Sequence, residues 1–174
     1  MSNLRLLNDT TASSVASLSI TDIFSSDFDI YKIIINNFNA DSSNPFLQFR
    51  FINSSGTIIT SSQYNSASLY LRSWNSDIEY NDELQTSMKN LALTNSQTTA
   101  DTGGAVFYIF DPFSVSSYTS VIGQSQAQET SGTYSFKAIG QLKQLHSCTG
   151  LNINFSSAND VSLNVKTYGL RVDT

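Results

Sequence analysis

The chain has 174 residues, 40% of them hydrophobic and only 13% charged, against roughly 25% charged residues in a typical globular domain. This length accommodates one domain with its own hydrophobic core. The net charge is −5 and the charges are scattered singly, which argues against a nucleic-acid partner, while the single cysteine excludes an intrachain disulfide and a thiolate metal site.

The first segment, residues 1–17, joins a small apolar cluster to a polar run, a composition typical of an arm outside a folded domain. Leu4, Leu6 and Leu7 are the candidate residues for docking this arm onto a neighbouring subunit. A frayed tail is the alternative interpretation. The predicted organisation is therefore an arm at 1–17 and a β-sandwich domain at 18–174.

Strand patterns begin at Leu18 and are densest in FDIYKIIINNF, residues 28–38. Both sides of the stretch Ile30–Ile35 are mainly apolar. This predicts a central strand covered on two sides, or one that faces the core on one side and a partner on the other. The next segment, residues 46–60, predicts a hairpin around Asn53–Gly56.

Residues 67–74 alternate again, and residues 78–94 follow as the one segment with partial helical spacing. We interpret this second segment as a long connection with a short helix near Asp82–Asn90. A further strand is predicted at residues 105–110, and further period-two segments lie at residues 134–138, 151–155 and 161–166. Eight or nine strands without βαβ alternation predict an all-β, two-sheet antiparallel sandwich of jelly-roll type with an extended N-terminal arm.

Catalytic chemistry has few candidates. A hydrolytic triad would need His146, the only histidine, and Cys148 lies two residues away. In a strand these two side chains would be about 7 Å apart, too far for a thiol–imidazole pair. We therefore predict a buried free thiol, no catalytic residue and no enzymatic activity.

Carboxylates cluster in two places, Asp27 with Asp29 and, further on, Asp77 with Glu79, Asp82 and Glu83. Solvated turn residues are the favoured interpretation, although such clusters can act as acid–base pairs or bind Ca²⁺ weakly. No phosphate loop, dinucleotide fingerprint or metal-ligand spacing occurs in the sequence. We expect no cofactor and no metal, and no membrane partner, because no apolar run is long enough to span a bilayer.

A ligand platform is the remaining candidate site. Trp74 with Asn75, Asp77 and Tyr80 combines aromatic rings with amide and carboxylate groups, as a glycan-binding site requires. Packing of the sole tryptophan in the core or at its rim is the favoured alternative.

Three segments carry a resemblance to a known group of proteins: Phe24–Ile33, Phe49–Gly56 and Val165–Leu170. Together they resemble small jelly-roll structural proteins of tailed phages, especially marine and cyanobacterial phages. The resemblance implies a protein of the virion surface, synthesised in the host cytoplasm, commonly trimeric, with the major capsid protein or another virion protein as its partner. It implies a capsid decoration (cement) protein, or alternatively a receptor- or glycan-binding head or tail fibre module.

Overall fold

The computed structural model describes residues 3–40, 45–94, 103–129, 131–157 and 160–171. In these ranges the chain forms twelve β-strands and no helix. The strands are β1 (Leu4–Val15), β2 (Ser17–Ile20), β3 (Ile30–Ala40), β4 (Phe46–Asn53), β5 (Tyr64–Arg72), β6 (Ile78–Gln85), β7 (Met88–Leu93), β8 (Gly103–Phe110), β9 (Thr119–Glu129), β10 (Gly132–Leu142), β11 (Cys148–Phe155) and β12 (Val161–Leu170).

The strands form two antiparallel sheets. The large sheet has the order β1-β12-β3-β8-β9-β10-β5-β6, and the small sheet has the order β2-β11-β4-β7. The first half of the large sheet, β1-β12-β3-β8, together with the small sheet has the strand order of a jelly roll. The hairpins β5–β6 and β9–β10 are additions that extend the large sheet beyond β8. The predicted all-β sandwich of jelly-roll type is therefore confirmed, although twelve strands exceed the expected eight or nine.

The main core lies between the two sheets, where strands such as β3, β8 and β12 bury alternate side chains on their inner faces. Ile33 and Ile35 of β3 and Phe107 of β8 are 0% exposed, as is Phe49 of the facing β4. The rings of Phe49 and Phe107 meet edge to face with 4.8 Å between centroids.

A second cluster lies under the added hairpins. It contains Tyr70, Tyr134 and Phe136, with the half-buried Phe46 and Tyr80 packed against it. The rings of Tyr70 and Phe136 stack at 4.6 Å between centroids. Because the inner side of the extension has this apolar packing, the added strands are held to the domain rather than projecting as a flexible hairpin.

The first segment differs from its prediction. Leu4–Val15 is strand β1, paired with β12 from Leu4 opposite Leu170 to Val15 opposite Val161. Residues 4–15 are thus the edge of the large sheet and not an arm outside the sandwich; residues 1–2 lie outside the described ranges. Two irregularities in the pairing, between Leu6 and Asn8 and between Ala12 and Val15, break the alternation that would have indicated a strand.

The predicted helix near Asp82–Asn90 is wrong. Those residues belong to β6, a short turn and β7. Leu84 and Asn90 have positive φ angles of 50° and 54°, and the pairing of β5 with β6 shifts between Tyr64 and Ser66. A strand whose alternation shifts partway presents apolar residues at spacings that resemble a helical face.

The predicted hairpin at Asn53–Gly56 is confirmed as a turn. The amide of Gly56 donates to the carbonyl oxygen of Asn53 at 2.9 Å, and Gly56 has a φ of 76° that suits glycine. The returning limb forms only an isolated bridge between Ile52 and Ile58. Strand β4 instead pairs with β11 and β7.

Candidate functional site

The outer face of the large sheet is the side turned away from the small sheet. Strand pairing lines up the outward side chains into rows that cross the sheet. One row consists of Leu6, Tyr168, Lys32, Tyr108, Ile122, Ile139, Ala67 and Asn81. The next consists of Asp9, Lys166, Ile34, Val106, Gln124, Lys137, Leu69 and Glu79.

Apolar side chains occupy the middle of both rows. We call Ile34, Val106, Tyr108, Ile122 and Ile139 the outer stripe. Ile122 and Ile139 lie directly opposite each other and are 46% and 59% exposed, while the other three are half-buried. Large contiguous apolar patches on a protein surface mark interaction sites.

Two of the shallow grooves on the outer face run over residues of the stripe. One has a volume of about 570 Å³ and runs from Tyr108 past Ile122 and Ile139 to Leu69. The other, of about 650 Å³, lies next to it along Asn65 and Gln141. The outer face therefore has concave grooves as well as apolar area, and both suit packing against another surface.

Charged groups on the outer face fall on the borders of the stripe. The ammonium nitrogen of Lys32 lies 6.0 Å from the ring centroid of Tyr108. Lys166 pairs with Asp9 at 3.4 Å. The hydrogen bond that Asn164 donates to Asp9, together with Lys166, holds the pKa of that carboxyl below its usual range.

The predicted docking leucines have two different positions. Leu4 and Leu6 are 37% and 51% exposed at the β1 border of the outer face. Leu7 is half-buried and packs on the main core. Thus Leu4 and Leu6 extend the apolar part of the outer face, while Leu7 helps to hold β1 in the sheet.

The predicted ligand platform lies at the turn between β5 and β6. Trp74 is half-buried, with its ring edge-on to Tyr134 at 6.4 Å between centroids, and Tyr80 stacks on Phe136. Asn75 and Asp77 are exposed. The four residues are neighbours, but both aromatic rings contribute to the second core cluster.

Cys148 is 0% exposed, and its Sγ lies 3.7 Å from the carbonyl oxygen of the half-buried His146. Burial raises the pKa of the Cys148 thiol to about 12. A thiol nucleophile needs a lowered pKa, so this environment has the opposite effect.

Two of the clustered carboxylates have local partners. Asp82 accepts a hydrogen bond from the side-chain amide of Asn90 at 2.9 Å, and Asp77 accepts one from the backbone of Arg72 at 3.4 Å. Among the residues that the structure describes, no group of three His, Cys, Asp or Glu side chains is placed to hold a metal ion. The same ranges contain no helix that could cross a membrane.

The comparisons with known proteins give no family. No protein-family model matches the chain, and no curated protein matches its sequence. Several solved structures show weak similarity. The CBM2 module of the evolved Dit of Lactobacillus casei BL23 phage J-1 has a TM-score of 0.21 and 11% identity over 91% of this chain and 70% of its own.

Two others come from infectious bursal disease virus. The infectious bursal disease virus Gt strain has a TM-score of 0.13 and 8% identity over 96% of this chain and 36% of its own. The VP2 subviral particle of infectious bursal disease virus has a TM-score of 0.14 and 10% identity over 95% of this chain and 42% of its own. Similarity at this level carries no argument about function.

Proposed function

We propose that this chain is a phage virion structural protein, a capsid decoration (cement) protein that binds the head surface and stabilises it. The observation that carries the proposal is the outer stripe, an apolar surface on the opposite side of the large sheet from the core. The resemblance of Phe24–Ile33, Phe49–Gly56 and Val165–Leu170 to phage structural proteins supports the virion setting. In this role the chain acts by binding and not by catalysis.

The size of the outer face supports a contact function. Eight strands about 4.8 Å apart and about 30 Å long present a face of roughly 1,000 Å². A stable protein interface uses about 800 Å² on each partner. The face can therefore hold a partner, the major capsid protein or another virion protein, and repetition over a shell would multiply weak contacts into firm attachment.

The proposal is tested by adding the purified protein to undecorated, expanded heads. We expect binding at micromolar protein concentration and a higher melting temperature of the heads. Val106→Glu places a carboxylate in the outer stripe and should abolish binding, whereas Leu145→Glu changes a residue that is 53% exposed in a loop and should not. Equal binding by both variants, or no binding by the wild type, would overturn the proposal.

A receptor- or glycan-binding fibre module is the second candidate function, favoured by the exposed Asn75 and Asp77 beside the ring of Trp74. Asn75→Ala with Asp77→Ala should then remove binding to host cells or to a glycan array without lowering the melting temperature. Trp74→Ala is a poorer test because Trp74 packs on Tyr134.

A further inference from the structure

We propose that a second copy of this chain packs on the outer face over β10, β5 and β6, related to the first by a two-fold axis nearly parallel to β5. This inference rests on the proposed function for the role of the outer face as a contact surface. It names one occupant of part of that face, and leaves β1, β12, β3, β8 and β9 for the virion partner.

Charge complementarity argues for a second copy. Strand pairing places Lys137 and Glu79 on either side of Leu69 in one row of the outer face. A row with a cation, an apolar centre and an anion is self-complementary under a two-fold axis through its centre. The axis brings Lys137 of each copy opposite Glu79 of the other, with Leu69 against Leu69.

The neighbouring row fits the same arrangement. It contains Ile139, Ala67 and Asn81 in strand order, so the small Ala67 lies at the axis where two backbones approach each other most closely. Ile139, which is 59% exposed, then reaches the partner's edge strand next to Asn81. The contact therefore covers the most exposed residue of the outer stripe.

Shape also favours another copy. Sheets twist with a fixed hand, and two sheets of the same hand pack face to face at about −30°, as in any β-sandwich. A second copy presents such a twisted face. Three strands about 30 Å long offer roughly 400–500 Å² on each copy, about 1,000 Å² in total, which is the lower bound for a specific interface. The dimer should therefore be weak and, with its charges at the border, weaker still at high salt.

Exchanging the charges of Lys137 and Glu79 tests this dimer. Dimerisation of the full chain is measured by analytical ultracentrifugation at concentrations up to about 100 µM, a range that suits the weak affinity expected of a small interface. We expect a concentration-dependent dimer that Lys137→Glu and Glu79→Lys each weaken about tenfold or more, because each variant sets like charges opposite each other. The variant with both substitutions should return to within about threefold of the wild type, since it restores both pairs.

Mixing the two single variants sharpens the test, because their heterodimer has opposite charges at both contacts. We expect the mixture to dimerise more tightly than either variant alone. Lys143→Glu makes the same charge change at an exposed position outside the rows and should leave dimerisation unchanged. Far-ultraviolet circular dichroism confirms folding of each variant.

A wild type that stays monomeric, or a doubly exchanged variant no tighter than the single ones, overturns the inference. Head binding is measured separately with Val106→Glu. A monomer that still binds heads would therefore contradict the second copy while leaving the proposed function intact.

Discussion

The two faces of β3 and β8 have similar compositions but different environments. On the inner face, Ile33, Ile35 and Phe107 are 0% exposed against the small sheet. On the outer face, Ile34 and Val106 are only half-buried. The difference separates apolar residues that fold the domain from apolar residues that, in our proposal, dock it to a partner.

The largest loss of stability is expected when a side chain on the inner face is truncated. Phe107→Ala removes a ring that contacts Phe49 and should lower the free energy of unfolding by about 3–5 kcal/mol. Val106→Ala, one residue away on the outer face, should lower it by only about 1 kcal/mol. Urea unfolding at pH 7 measures both, and equal losses would contradict the division between the faces.

Gly123 and Gly104 give a second, smaller difference in stability between the inner and outer sides. A methyl group at Gly123 would lie 2.0 Å from a ring carbon of the buried Phe107, so Gly123→Ala should destabilise the fold by about 1–3 kcal/mol. A methyl group at Gly104 would meet only the carbonyl oxygen of Ile35 at 3.5 Å. Gly104→Ala should therefore change the melting temperature little. If it lowered the melting temperature as much as Gly123→Ala, the outer side would be packed as tightly as the core.

The third prediction concerns the buried hydroxyl of Tyr64 and the two hydrogen bonds that it makes inside the core. The hydroxyl of Tyr64 accepts from the amide of Phe51 and donates to the carbonyl of Ile59, both at 3.0 Å. Tyr64→Phe leaves both backbone groups without this partner and should cost about 1–3 kcal/mol. Tyr108→Phe on the outer face is the matched control and should be near neutral in the same urea titration.

The pH dependence follows from Cys148. Its pKa in the folded chain is raised to about 12, above the ordinary value of 9.0. Above pH 9 the unfolded chain loses this proton while the folded chain keeps it, so stability present below pH 9 falls as the pH rises towards 12. Burial raises the pKa of Tyr64 in the same direction. Cys148→Ala should flatten the decline between pH 9 and 12, and an unchanged slope would exclude the thiol as its cause.

The smallest effect is expected at the border of the outer face. Asp9→Asn removes the exposed contact with Lys166, so it should lower the melting temperature only slightly at low salt and not at all in 1 M salt. Thermal unfolding at low and high salt provides the measurement. A large drop in the melting temperature would show that β1 depends on this pair.

The strands with clean alternation could be predicted from the sequence, because inward and outward residues of β11 and β12 differ in polarity. Strands β1 and β6 could not, since each is an edge strand with a shifted pairing that breaks the period of two. The two apolar sides of Ile30–Ile35 did indicate that the outer side of β3 carries apolar residues. The extent of the outer stripe could not be predicted, because Tyr108, Ile122 and Ile139 are brought into one row only by the register in which β8, β9 and β10 pair.

The central claim, that the outer stripe is the contact surface in the virion, is tested most directly by cysteine labelling. Native Cys148 is buried, so an introduced cysteine should provide the reactive thiol. Ile122→Cys and, as a control, the loop variant Leu145→Cys should both react quickly with a maleimide in dilute free protein. On decorated heads we predict that the cysteine at 122 becomes protected while the one at 145 stays reactive. Equal labelling of both on the heads would contradict the account.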